Sequence, residues 1–113
     1  MKFNSIGNPN LPTIIEVGIE QGGIFTIGRY DRSVGKQQSS FEFESRTKGL
    51  SRRHALVERS GGDHYYVVDL ASTSGTFIND KKIFPNTPMM LNIGDKISFG
   101  NAGADYIWQD DFE

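Results

Sequence analysis

Apolar and polar positions alternate with a period of two in short runs along this chain, and Gly, Asn, Asp, Ser and Pro separate the runs. That period places successive side chains on opposite faces of an extended strand. Ile15, Val17 and Ile19 alternate with Glu16, Gly18 and Glu20, the pattern of a strand buried on one face. Gly22 and Gly23 then turn the chain, and Gly23 to Ile27 reads as the next strand. Phe41 to Glu44 reads as a short strand with both phenylalanines on one side. Further strands are expected over Ala55–Arg59, Tyr65–Leu70, Thr76–Ile78, Met89–Leu91, Lys96–Phe99 and Tyr106–Trp108. Tyr65 and Tyr66 face opposite ways, so at most one enters the core, and Trp108 and the phenylalanines are assigned to the core. No segment sustains helical periodicity between a cap and a stop.

The punctuation between the runs agrees. Ser60–Asp63 and Asn79–Lys81 read as hairpin loops, and Asn92–Asp95 as a turn. Tyr30–Ser40, rich in Ser, Gly, Gln and charge, is expected to form a mobile loop. Many short strands at roughly 8–12-residue spacing predict an all-β fold, an antiparallel sandwich or barrel. A single domain is expected over residues 1–113, with its core from about 14 to 109. Residues 1–12 read as a loose N-terminal lead, and Asp110–Glu113 as a solvated acidic end.

Composition narrows the function. With 36% hydrophobic residues and 13 glycines the chain is globular and rich in turns. A formal charge of −2 argues against nucleic-acid binding driven by overall charge. The absence of cysteine removes disulfides, thiolate nucleophiles and Cys-ligated zinc, and suits a reducing compartment. No apolar run approaches the roughly 18 residues that span a membrane, and Met1-Lys2-Phe3 does not open a signal peptide. The expectation is a cytoplasmic domain with no membrane partner.

The polar residues that stand out flank strand ends: Gly28-Arg29, then Ser51-Arg52-Arg53-His54, then Ser72 through Asn79. An antiparallel fold can gather such ends in one rim of loops. A phosphate monoester carries between one and two negative charges and three acceptor oxygens, so it needs positive charge and donors converging on it. Arginine supplies a planar fork, Ser and Thr supply hydroxyls, and glycines let main-chain N–H groups approach. The set reads as a receptor for a phosphate ester.

Gly-Arg, then Leu-Ser-Arg-Arg-His, then Asp-Leu-Ala-Ser-Thr-Ser-Gly-Thr-Phe-Ile-Asn resembles the forkhead-associated (FHA) domain family, in order as well as composition. The resemblance runs from about Glu16 to Trp108, and Ile93-Gly94-Asp95 followed by Ile97–Gly100 resembles the family's late turn and strand. It implies a β-sandwich of about eleven strands whose loops at one end bind phosphothreonine in a partner protein. Arg29 and Ser51 match the phosphate-contacting arginine and serine. Arg52 matches a position that adds a contact to the phosphate or the peptide backbone. Thr73 matches the residue beside the phosphothreonine methyl group, by which the family prefers threonine to serine. Ser74 stands where the pattern has asparagine, whose amide holds the ligand's main chain; serine is shorter and offers one donor where the amide offers two. Gly28, His54, Gly75 and Asn79 match positions that shape the loops. The resemblance implies no catalysis, no cofactor and no metal, with a Ser/Thr kinase upstream.

Rival readings are weaker. Ser51, His54 and Asp69 suggest a hydrolase, but no nucleophile-elbow pattern surrounds the serine. His54 and His64 lack further spaced zinc ligands, and His54 is assigned a structural role bonded to loop backbone. Arg46, Lys48, Arg52 and Arg53 form a basic cluster, without the interleaved aromatics of a nucleic-acid surface. Arg29 has Asp31 and Glu20 as ion-pair candidates, and Arg53 reads as a solvated charge. The remaining alternative is a phosphate-independent interaction or self-association module on the same fold, which Ser74 keeps open.

Overall fold

The computed structural model describes residues 1–111. They form eleven strands: β1 (Lys2–Ser5), β2 (Ile14–Glu16), β3 (Ile24–Arg29), β4 (Phe41–Phe43), β5 (Ala55–Arg59), β6 (Tyr65–Asp69), β7 (Thr76–Ile78), β8 (Lys81–Lys82), β9 (Met89–Leu91), β10 (Lys96–Phe99) and β11 (Asp105–Gln109). One sheet has the order β2-β1-β11-β10-β7-β8 and the other β4-β3-β5-β6-β9. Apolar residues from both sheets meet in one core, among them Phe3, Ile15, Ile97, Phe99, Tyr106 and Trp108 from the first and Ile27, Phe43, Val57, Tyr65 and Val67 from the second. The result is a β-sandwich. As the alternation requires, Tyr65 is buried and Tyr66 is not.

Residues 1–12 are not a loose lead. β1 pairs with β2 on one side and β11 on the other, with Phe3 opposite both Ile15 and Trp108. The Phe3 ring is fully buried, its centroid 4.7 Å from that of Trp108 and 5.5 Å from that of Phe99. One apolar residue among Lys2, Asn4 and Ser5 is too little to register as alternation, but pairing along both edges satisfies the backbone. β8 escaped notice for a similar reason, being two exposed lysines opposite Phe77 and Ile78. At the other end Asp111 is exposed and pairs with the N-terminal ammonium at 2.7 Å; Phe112 and Glu113 lie outside the described residues.

Two further differences concern orientation. The sheets are mostly antiparallel, but β4 runs parallel to β3, with Ile27 opposite Phe41 and Arg29 opposite Phe43. The long Tyr30–Ser40 connection makes the crossover that a parallel pair needs. Among the described phenylalanines assigned to the core, Phe77 is only half-buried beside the buried Thr76, and Phe84 is 78% exposed on the segment between β8 and β9. Ile83 takes the buried position beside it, so the alternation there puts Phe84 outward.

The register positions the site. Ile27 lies opposite Ala55, and Ala55 opposite Asp69. The end of β3, the start of β5 and the end of β6 therefore lie side by side, and the loops beyond them share one rim. Replacing Phe3 with Ala should cost about 3–5 kcal/mol, the range for a buried aromatic, measured by urea denaturation. A loss below about 1 kcal/mol would return β1 to the status of an unneeded lead.

Candidate functional site

At the rim, one buried ring joins two loops. The main-chain N–H of Ser51 donates to Nδ1 of His54 at 3.1 Å, so Nδ1 must carry a lone pair. The proton of the neutral imidazole then sits on Nε2 and is donated to the carbonyl of Gly75 at 2.9 Å. His54 is fully buried, and its main chain continues the same links: its N–H donates to the carbonyl of Ile27, and its carbonyl accepts from Leu70. Burial pushes its pKa down, opposed by the Gly75 carbonyl and the charge of Asp69. The loop before β5 and the loop between β6 and β7 are thereby fixed to each other.

Two glycines make this closeness possible. A Cβ on Gly28 would lie 2.0 Å from the Arg52 carbonyl oxygen, which accepts the N–H of Arg29 at 3.2 Å. No side chain fits there. Gly75 adopts φ +87°, and a Cβ on it would meet the Lys82 side chain at 2.7 Å.

Arg29 ends β3 and is held by main-chain acceptors: Nε donates to the Leu50 carbonyl at 2.8 Å and Nη1 to the Ser45 carbonyl at 3.2 Å. None of the ion pairs among the described residues involves Arg29. Neither Asp31 nor Glu20 is its partner. The seat is rigid and leaves donors of a full positive charge unspent.

Across the groove, Ser51 Oγ accepts the main-chain N–H of Thr73 at 2.9 Å. Its own O–H remains free to donate. Arg52, 65% exposed, pairs through Nη1 with Asp31 Oδ2 at 3.1 Å. Arg29, Ser51, Arg52, Thr73 and Ser74 all line one open groove of about 780 Å³, with Asp31 and Arg53 also on its wall. The structure thus brings together every residue that sequence reasoning assigned to ligand contact.

The loop-shaping residues divide by position. Asp69 is buried at the end of β6; Oδ1 accepts from the Ser72 hydroxyl at 2.5 Å and the Thr76 hydroxyl at 2.7 Å, and Oδ2 from the Ser72 N–H at 3.2 Å. It folds the Ser72–Thr76 turn, which a buried carboxylate requires in return for losing water. Asn79 works at the far end of β7: its N–H donates to the Lys96 carbonyl, its Oδ1 accepts from the Lys96 N–H, and its Nδ2 donates to Asp95. It shapes a hairpin away from the groove. With both ring nitrogens of His54 engaged by main chain and Asp69 turned to hydroxyls, Ser51, His54 and Asp69 form no proton relay. His54 and His64 flank opposite ends of β5, too far apart to share a metal.

Sequence reasoning missed three contributors. The carbonyls of Leu50 and Ser45 seat Arg29, and no side-chain pattern announces a carbonyl. Asp31, an ion-pair candidate for Arg29 by sequence, pairs instead with Arg52. Its spacing from Ser33 was a usable signal, because an aspartate two residues before a serine commonly closes an Asx turn, and here Oδ1 accepts both the N–H and the hydroxyl of Ser33. The Tyr30–Ser40 segment is irregular, and its end is bonded to the neighbouring strands: Thr26 and Ser40 bond each other reciprocally, and Glu42 Oε2 accepts the N–H groups of Gln38 and Ser39.

Two outcomes follow from this geometry. Protonating His54 sets an N–H on Nδ1 against the N–H of Ser51. Because its folded pKa lies below the unfolded value, its contribution is present above about pH 6.5 and lost as pH falls from there toward the folded pKa. Melting temperature should therefore decline from pH 7 to pH 5, and His54→Gln should flatten that slope; an equal slope in both proteins would contradict the assignment. Gly28→Ala should destabilise by about 1–3 kcal/mol or more through displacement of Arg52, read from denaturant midpoints.

Comparison with known proteins places the arrangement. A family model described as the FHA domain matches residues 25–100. An oxoglutarate dehydrogenase inhibitor from Corynebacterium jeikeium is 32% identical over 87 residues, which are 77% of this chain and 57% of that protein. A protein phosphatase 1 regulatory inhibitor subunit homolog from Arabidopsis thaliana is 29% identical over 73 residues, 65% of this chain and 20% of that protein. The chain thus spans less than two thirds of the length of these relatives. An FHA domain solved in a structural and functional analysis of phosphothreonine-dependent FHA domain interactions superposes with a TM-score of 0.61 at 27% identity, over 84% of this chain and 83% of that one. The matched region takes in Gly28-Arg29, the Ser51–His54 stretch and the Ser72–Asn79 loop with the strands that carry them, and the chain belongs to the FHA domain family, non-catalytic interaction modules that generally bind phosphothreonine.

Proposed function

We propose that this chain reads phosphothreonine in a partner protein, reversibly and without catalysis, downstream of a Ser/Thr kinase in cytoplasmic signalling or assembly. The observation that carries the reading is Arg29: a guanidinium seated by two main-chain carbonyls, without a carboxylate partner among the described residues, on the same groove as Ser51 and Thr73. Ser51 Oγ has already accepted the Thr73 N–H, so its free O–H is a prepared donor. A charge-assisted hydrogen bond contributes about 1.5–3 kcal/mol, and a micromolar complex needs about 8 kcal/mol. A few such contacts from Arg29, Ser51 and Arg52 supply most of a weak, switchable affinity. Thr73, exposed on the same groove, would meet the threonine methyl group on this reading.

A second reading rests on Ser74, which lines the groove where an amide would grip the ligand's main chain. On that reading the domain binds a protein or a second copy of itself without phosphate.

Titration with a degenerate phosphothreonine peptide library, beside phosphoserine and unphosphorylated pools, separates the two. Selective phosphothreonine binding is expected, lost in Arg29→Ala and weakened about tenfold or more in Ser51→Ala. Arg29 also braces Leu50 and Ser45, so some fall in melting temperature accompanies its removal, whereas Ser51→Ala, which removes only the exposed bond to the Thr73 N–H, should lower it less. Equal binding to phosphorylated and unphosphorylated pools would establish the second reading. Affinity should also fall below about pH 6, where the phosphate takes up its second proton.

A further inference from the structure

Among the described lining residues of the groove, Asp31 is the one acidic side chain, set against Arg29, Arg52 and Arg53. It is fixed in place. Oδ1 accepts the Ser33 hydroxyl at 2.6 Å and the Ser33 N–H at 3.0 Å, and Oδ2 accepts Arg52 Nη1 at 3.1 Å. Its carbonyl accepts the N–H groups of Val34 and Gly35, each at 3.1 Å, closing a turn around it. The hydrogen bond from the Ser33 hydroxyl, followed by that from Arg52, lowers its pKa to about 2. A permanent negative charge therefore sits in a groove suited to an anion.

We propose that Asp31 determines the charge pattern of the ligand, so that the groove prefers a phosphothreonine flanked by lysine or arginine to one flanked by acidic residues. This inference rests on the phosphothreonine reading above and names the partner's chemistry. An ionised carboxylate accepts about four hydrogen bonds. Two fall on Oδ1 and one on Oδ2, so Oδ2 retains unused acceptor capacity, on a side chain 12% exposed at the groove wall. Arg52 does not have to leave Asp31 to meet phosphate, because its fork keeps Nε and Nη2 free while Nη1 stays paired. A bound ligand would then complete a row of alternating charges: ligand phosphate, Arg52, Asp31, ligand cation. An acidic flank would instead face Asp31. Arg53 on the same wall pulls the other way, so only a comparison that changes Asp31 alone isolates its contribution. The upstream reaction this implies is phosphoryl transfer to a threonine in a basic segment, by a kinase that itself accepts Lys or Arg near its target.

The test uses alanine-background peptides with one central phosphothreonine and Lys, Ala or Glu at each flanking position in turn. Binding is measured by fluorescence anisotropy to wild type, Asp31→Asn and Asp31→Glu. Wild type should favour Lys over Glu by about three- to tenfold at one or more positions, fading as salt rises. Asp31→Asn keeps an acceptor for Ser33 and should lose that preference while still requiring phosphate; Asp31→Glu restores the charge and should recover it. No preference in wild type, or an undiminished one in Asp31→Asn, overturns the inference and leaves the phosphothreonine reading standing. Failure of the folded wild type to bind any phosphopeptide removes that reading and this inference with it.

Discussion

The site depends on one buried imidazole. His54 accepts from Ser51 and donates to Gly75, and those two loops carry the free serine hydroxyl on one side and Thr73 on the other. Only a neutral histidine does this, because the bridge needs an acceptor and a donor about two ångströms apart on a rigid ring. Around it the other constraints fall into place. Gly28 lets the Arg52 carbonyl approach β3, which sets the start of the Ser51 loop against Arg29. Asp69 closes the turn that presents the Gly75 carbonyl. The loops that carry the groove are thus joined through main-chain groups held by a few buried side chains.

Which strands were legible follows from how much of their stability is local pattern. β5, β7, β9 and β10 have the predicted bounds, and β5 and β10 carry their own apolar face, Ala55 with Val57 and Ile97 with Phe99. β1 does not: its single apolar residue, Phe3, matters because Trp108 and Phe99 stand next to it, residues remote in sequence. β8 has no apolar residue and exists by pairing with β7. The parallel pairing of β3 with β4 depends on where a long connection returns, which periodicity does not encode. Phe84 shows the converse, an apolar residue whose neighbour Ile83 already fills the inward position.

At the site, the side chains were legible and their wiring was not. Glycine, arginine, serine and histidine at strand ends carry a chemical signature that survives in one dimension; the groove collects the arginines and serines, while His54 is buried outside its lining. The acceptors that seat Arg29 are carbonyls of Leu50 and Ser45, present at every residue and therefore invisible as a pattern. The Arg52–Asp31 pair joins two loops over a separation of 21 residues. Pairings of this kind follow from register, and register is known only once the sheets are assembled.

Serine at position 74 bears on how such a site works as a switch. Binding energy from a ligand's main chain is the same whether or not its threonine is phosphorylated, whereas the phosphate contacts proposed for Arg29, Ser51 and Arg52 would exist only after modification. Exchanging an amide for a shorter hydroxyl removes part of the first kind and leaves the second intact. On the proposed reading, total affinity falls, but the ratio between phosphorylated and unphosphorylated ligand is kept or raised. Specificity is a difference of affinities, and a groove that grips the backbone weakly has less affinity to offer the unmodified chain. The departure at Ser74 is therefore compatible with a weak reader that depends strongly on phosphate, and the burden of orienting the peptide shifts to its flanking side chains and to the charges, Asp31 among them, that meet them.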